Sequence, residues 1–134
     1  MSKSLKLISI ALVAFSGVWP LFGHHGSGAS YDQTRLVKFE GTVVEFLWRN
    51  PHSALFIKGT DESGKLVDYS IEMNSPGLMV KAGLTRNSFK PGDHAVLEVH
   101  PSFLNPAAGE CQGCKIIVNG KEIGKPAGGA EAER

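Results

Sequence analysis

Two adjacent histidines, His24 and His25, are the residues of this sequence best suited to metal chemistry. If the chain is cut after Gly23, His24 becomes the N-terminal residue, and its α-amine and imidazole can chelate one ion together. His25 then adds a second imidazole. Nitrogen-rich sites of this kind favour Cu(II), which lies at the top of the usual divalent affinity order. The alternative is a polar N-terminus in which the two histidines have no metal role.

A copper site of this kind needs a third ligand from the folded body of the protein. His52 is the first candidate, because it follows Pro51 at a strand break, where a side chain can face a cleft. Glu72, at the end of a predicted strand, is the second. A turn histidine and a solvated carboxylate near a helix N-terminus are the alternatives. His94 and His100 share one strand face but lie about 20 Å apart, at about 3.3 Å per residue, which is too far for one ion.

The cut that would expose His24 is predicted by the layout of residues 1–23. A positively charged start precedes an uncharged, mostly apolar run over residues 7–19, and the small residue Gly23 follows a chain breaker. This pattern is typical of a secretory signal peptide, because a membrane-spanning helix needs about 20 apolar residues. We therefore predict a periplasmic or secreted protein. A later cut, as far as Ala29, and an uncleaved N-terminal anchor are the alternatives.

Both cysteines, Cys111 and Cys114, remain in the exported chain. A c-type haem attachment would need a histidine where Lys115 stands. A thioredoxin-like redox site would need a βαβ context, which the sequence does not offer. Half of a zinc site, with His100 as a further ligand, is an alternative. An oxidising compartment favours a disulfide between the two cysteines, which we predict.

The composition after signal removal excludes several classes of function. The remaining 111 of 134 residues suffice for one domain. Lys3 and Lys6 leave with the signal, so 12 of the 14 Lys and Arg stand against 13 Asp and Glu, a net charge of −1. These charges are scattered, and nucleic acid is not an expected partner, since phosphate binding needs a concentrated basic surface. No membrane span follows the signal. No nucleophile elbow, phosphate loop, calcium loop or HExxH sequence is present, so we predict no enzyme.

Alternating strand and turn signals predict a mostly β domain over residues 35–123. Five strands with one short helix between the third and fourth favour an OB-like Greek-key barrel, and a small open β-sandwich is the alternative. The first strand is apolar on both faces around Gly41, which indicates a bend or bulge. Residues 101–113 are predicted to form a loop, and the strands end in a hairpin over residues 115–123.

The segments outside this domain are predicted to be irregular. Residues 24–34 form a flexible N-terminal segment in which Tyr31 could act as an anchor, and residues 124–134 form a disordered tail. Two aromatic residues, Trp48 and Tyr69, are candidates to line a ligand groove on the barrel face, although core packing is the favoured role for Trp48.

Seven short motifs in a fixed order resemble a family of small exported bacterial proteins of unknown function. The resemblance covers residues 24–123. The motifs are His24-His25, Tyr31-Asp32, Gly41-Thr42-Val43, Trp48-x-Asn50-Pro51-His52, Glu72-x-x-Ser75-Pro76, Gly83-x-Thr85-Arg86 and Lys90-Pro91-Gly92-Asp93. The resemblance implies an exported, mostly β single domain and implies no activity. The Cys111-x-x-Cys114 pair departs from this pattern.

Two functional hypotheses follow from the sequence. The first is a periplasmic module that binds a metal ion, copper, through His24, His25 and His52, with Glu72 as a further ligand, for binding or delivery. The second is a non-enzymatic interaction domain that binds a protein partner or a small ligand without a metal.

Overall fold

The computed structural model describes residues 27–125 and contains a closed five-stranded β-barrel, two added strands and one short helix. The elements, in chain order, are a 3-10 helix (Ser27–Ala29), β1 (Val37–Leu47), β2 (Ala54–Thr60), β3 (Leu66–Met73), α1 (Pro76–Lys81), β4 (His94–Pro101), β5 (Ala108–Cys111), β6 (Ile116–Val118) and β7 (Lys121–Ile123).

The barrel has the strand order β1-β2-β3-β5-β4 and closes where β4 pairs with β1. β3 and β5 run parallel and the other pairs run antiparallel. Together with a helix between β3 and β4, this is the OB-like Greek-key arrangement. The predicted barrel is confirmed, and its closure excludes the open sandwich.

The bend predicted in β1 is confirmed, and it lies at Val44. The register of β1 against β2 shifts between Val43 and Glu45, which marks a β-bulge. Phe39 and Val43 are buried before the bulge, whereas Phe46 packs against the core after it. The extra residue therefore changes which parity of the strand faces inward, and this explains why both parities are apolar.

The prediction of a loop over residues 101–113 is wrong, because this stretch contains β5, the fifth strand of the barrel. β5 pairs with β3 and β4, whereas the hairpin of β6 and β7 only extends the sheet beyond β4. Its four residues, Ala108–Cys111, carry no apolar alternation. Gly109 fits there because a Cβ would lie 2.5 Å from Cγ2 of Val99. Close packing between the strands requires a glycine at this position, and glycine is not a residue that predicts a strand.

Tyr69 lies in the barrel core, so the prediction that it lines an exposed groove is wrong. Its ring stacks on Phe39 at a centroid distance of 4.2 Å, and only 7% of the residue is exposed. Trp48 is partly buried and contacts Phe46 edge-on at 5.8 Å. Trp48 thus packs against the core, the role favoured for it, and Tyr69 does so although no such role was predicted.

The predicted signal peptide, His24 and His25 lie outside the described residues, as does the tail after residue 125. The segment predicted to be flexible over residues 24–34 is described from residue 27. Within it, Tyr31 forms an isolated β-bridge with Ser102, and the Asp32 amide donates to the Pro101 carbonyl at 2.9 Å. The chain therefore lies against the barrel before β1 begins. Among residues 27–125, no helix is long and apolar enough to cross a membrane.

Candidate functional site

His52 is held at the end of β3 by the backbone on either side of it. Pro51 precedes it, and the buried Ser53 follows it. The Ser53 amide donates to the Asn74 carbonyl at 3.2 Å, and the Ser53 carbonyl accepts from the Met73 amide at 2.9 Å. These two bonds clamp the chain leaving β1 to the last residues of β3. The His52 side chain remains 48% exposed.

Glu72 bridges His52 and Tyr31 with its two carboxylate oxygens. His52 Nδ1 lies 2.8 Å from Glu72 Oε1, and the Tyr31 hydroxyl donates to Glu72 Oε2 at 3.1 Å. A carboxylate only accepts hydrogen bonds, so Nδ1 carries the proton of this contact. In the neutral imidazole the lone pair is then on Nε2, which has no hydrogen-bond partner among residues 27–125.

This arrangement of His52 and Glu72 is the one that metal-binding histidines commonly show. A ligating imidazole usually donates its second ring N–H to a carboxylate or a carbonyl, which fixes the tautomer and the ring orientation and raises the basicity of the ligand. Glu72 is thus the hydrogen-bond partner that orients His52, and each of its two carboxylate oxygens already accepts a hydrogen bond. With Nδ1 facing the carboxylate, the Nε2 lone pair of this half-exposed side chain points away from Glu72.

Tyr31 is a neutral donor to Glu72 over the whole physiological pH range. Burial is the largest cause that raises the pKa of Tyr31 to about 12, followed by the charge of Glu72, the hydrogen bond to it, and the charge of Glu110. Ionised phenolate next to these two carboxylates would be repelled. The hydroxyl therefore keeps its proton and its bond to Glu72.

Glu110 is a buried carboxylate that the sequence did not indicate. It stands opposite Glu72 in the parallel pair of β3 and β5 and is only 1% exposed. Gln33 Nε2 donates to it at 2.8 Å and Gln112 Nε2 at 2.7 Å. A glutamate within a segment that reads as a loop is normally solvated, so no sequence signal marks this one. Its burial depends on the β3–β5 pairing and on the segment that carries Gln33.

The remaining histidines lie in separate contacts. His94 Nε2 is 3.3 Å from Glu40 Oε1 on the surface. His100 Nδ1 faces the backbone carbonyls of Arg35 at 2.8 Å and Asp32 at 3.2 Å. They do not share a site, as expected from their separation along β4.

Cys111 and Cys114 form a disulfide, as predicted, with their Cα atoms 4.9 Å apart. This bond removes both thiolates that half of a zinc site would have required. Within residues 27–125 no group of three or more His, Cys, Asp or Glu side chains could hold a metal ion. Of the four predicted ligands, the structure brings His52 and Glu72 together, while His24 and His25 lie outside its description.

Comparison with known families places the chain in a family of unknown function. A family described as "Family of unknown function (DUF6152)" matches residues 12–111, about three quarters of the sequence. The chain belongs to this family. The match ends at the last residue of β5, so the closed barrel of this member lies within it and the hairpin of β6 and β7 lies beyond it. No curated protein and no solved structure matches the sequence.

Proposed function

We propose that this protein is exported and binds one transition-metal ion, Cu(II), through His24, His25 and the Nε2 atom of His52, for binding or delivery rather than catalysis. The observation that carries the proposal is the His52–Glu72 contact of 2.8 Å, which occupies Nδ1 and leaves Nε2 for a metal. Glu72 then orients the ligand His52 and does not bind the metal itself, because its second oxygen is bonded to Tyr31.

The N-terminal histidines lie seven and six positions before Tyr31 in the sequence, with the 3-10 helix Ser27–Ala29 between them and Tyr31. Tyr31 itself is bonded to Glu72 at 3.1 Å, one carboxylate away from His52. The chain therefore passes beside the candidate ligand at Tyr31, which supports a site shared between the two segments.

Export is part of the proposal, because it supplies the free α-amine of His24. The disulfide between Cys111 and Cys114 supports it, since such bonds persist in oxidising compartments and are rare in the cytosol. The layout of residues 1–23 supports a cut after Gly23.

Mass spectrometry of the exported protein, followed by calorimetric titration of the mature chain with Cu(II) and Zn(II), tests the proposal. We expect an N-terminus at His24 and Cu(II) binding tighter than about micromolar, with Zn(II) weaker in accordance with the usual affinity order. His52→Ala should weaken Cu(II) binding at least about tenfold, and Glu72→Gln about 10- to 100-fold, the usual range for a partner behind a ligand.

His94→Ala is the matched control, because His94 is also an exposed imidazole beside a carboxylate, Glu40. It should leave Cu(II) affinity unchanged. A mature N-terminus at Ala29 or later, or Cu(II) binding weaker than micromolar, would contradict the proposal. Unchanged Cu(II) affinity in His52→Ala would show that the third ligand is a residue other than His52.

A protein partner is the second candidate, and two neighbouring apolar residues favour it. Phe103 is 60% exposed and Leu104 is 94% exposed in the loop between β4 and β5, where OB-fold proteins commonly bind their ligands. In this case the histidines have no metal role. The double variant Phe103→Ser/Leu104→Ser should lose a partner that co-purifies from the exported fraction, while copper binding by the same variant should match wild type.

A further inference from the structure

Residues 30–35, here called the N-terminal strap, dock on the barrel by polar contacts. The Phe103 amide donates to the Ser30 carbonyl at 3.1 Å, and the Asp32 amide to the Pro101 carbonyl at 2.9 Å. Two side chains, Tyr31 and Gln33, reach down from the strap to neighbouring carboxylates at 3.1 and 2.8 Å. The strap is therefore positioned by hydrogen bonds to the barrel rather than by an apolar face.

The two carboxylates under the strap need these donors. Glu72 and Glu110 occupy paired positions of β3 and β5, so their charges are close neighbours on one face. Glu110 is almost completely buried, and a buried carboxylate without hydrogen bonds is costly. Gln33 supplies one of its two side-chain donors. Docking of the strap thus stabilises an acidic pair that the barrel alone leaves short of partners.

Glu72 connects the strap to His52, since one oxygen accepts from Tyr31 and the other contacts the imidazole. A carboxylate held at both oxygens is fixed in orientation, whereas the loss of either contact lets a side chain that is 34% exposed rotate toward solvent. The two contacts therefore support each other, and the coupling is reciprocal by thermodynamic necessity.

We propose that Tyr31 is a positioning residue that acts through Glu72, so that docking of the strap and orientation of the His52 imidazole are coupled. Tyr31 thereby controls the orientation of the His52 ligand without contacting the ion. The copper half of this inference rests on the proposed function; the coupling between strap and His52 exists in the metal-free protein.

Amide hydrogen exchange in the metal-free mature chain tests the coupling, with the Asp32 amide as the reporter of strap docking. Tyr31→Phe removes only the hydroxyl and should speed exchange at Asp32 about fivefold or more, within the usual range of such couplings. His52→Ala should also speed it, although no hydrogen bond joins His52 to residues 30–35 of the strap. Tyr69→Phe is the control, because it removes the other tyrosine hydroxyl, which lies 3.4 Å from the Thr60 carbonyl, and should leave Asp32 unchanged.

Copper titration supplies the second readout. Tyr31→Phe should weaken Cu(II) binding about tenfold when His52 is present and should cause no further loss in a His52→Ala background. A merely structural loosening of the N-terminus would weaken binding equally in both backgrounds and would overturn the inference. Unchanged Asp32 exchange in metal-free His52→Ala would overturn it as well.

The two proposals fail in different ways. If wild type binds no copper, the proposed function is wrong, and the exchange experiment alone decides the coupling. If wild type binds copper through His52 but Tyr31→Phe binds it equally well, the function stands and Tyr31 is not a positioning residue.

Discussion

At the residue scale, the central feature is one carboxylate that serves two elements. Glu72 accepts from the strap through Tyr31 and fixes the imidazole of His52, which belongs to the segment between β1 and β2. Such a side chain converts two local conformations into one cooperative unit. Its neighbour Glu110 is satisfied by neutral amide donors. Nothing in the order of these residues along the chain indicates that they meet.

Tyr31 should give the folded protein a specific sensitivity to alkali. Its pKa is raised to about 12 from the ordinary value of 10.0, so between these pH values the folded state binds more protons than the unfolded chain. The stabilisation is complete below pH 10 and is lost as the pH rises through 12. We expect urea unfolding from pH 9 to 12 to show a smaller alkaline loss in Tyr31→Phe than in wild type.

Some alkaline loss should persist in that variant, because burial also raises the pKa of Tyr69. Identical pH dependence in Tyr31→Phe and wild type would show that the Tyr31 phenol is not held between the carboxylates.

At the element scale, β1 and β2 approach each other closely at a pair of glycines. Gly41 faces Gly59 across these strands. A Cβ on Gly59 would lie 1.9 Å from the Glu40 carbonyl oxygen, and one on Gly41 would lie 2.4 Å from the Lys58 carbonyl oxygen. Both obstacles are backbone atoms, which cannot move as a flexible side chain can. The two glycines therefore let the strands come together at this point.

Gly59→Ala should therefore destabilise the protein strongly. We expect a loss of about 3 kcal/mol in the free energy of unfolding, the upper end of the range for overpacking, since the added methyl group displaces a strand. Chemical denaturation of the variant against wild type measures this.

Gly77→Ala is the control for this substitution, because a Cβ at that position of α1 meets nothing within 4 Å. Alanine is more favourable than glycine in a helix, so the free energy of unfolding of this variant should rise by about 0.5–1 kcal/mol. A Gly59→Ala protein within 1 kcal/mol of wild type would contradict the steric account of the barrel.

At the scale of the whole molecule, the disulfide joins positions separated by only three in sequence. A loop this short loses little entropy in the unfolded chain, so the bond should contribute about 2 kcal/mol. A typical domain has about 5–15 kcal/mol of stability. We expect the Cys114→Ala protein to keep the barrel and to lose about 2 kcal/mol in urea denaturation, with Cys111 packed as a small apolar residue.

Wild type treated with a reductant should unfold at the same urea concentration as the Cys114→Ala protein, since both lack the cross-link. An unfolded Cys114→Ala protein would contradict the view that the disulfide is local and would make it a condition of folding.

The sequence by itself determined the class of the fold and most of its strands. Hydrophobic alternation and turn chemistry are local, so β1 to β4, the short helix and the last hairpin could be predicted, and the apolar residues on both faces of β1 indicated its bulge. The Cys-x-x-Cys spacing and the N-terminal layout likewise favoured a disulfide, and His52 and Glu72 could be chosen as chemically competent side chains.

Only the tertiary structure decided the rest, because it depends on contacts between distant segments. β5 is a strand only because β3 and β4 pair with it, and its short run around Gly109 carries no periodic signal. Barrel closure buries Glu110 and brings Tyr31 to a carboxylate 41 positions away. Local propensity could identify a histidine at a strand break. Which nitrogen of that histidine faces a carboxylate depends on where two other segments are placed by the fold.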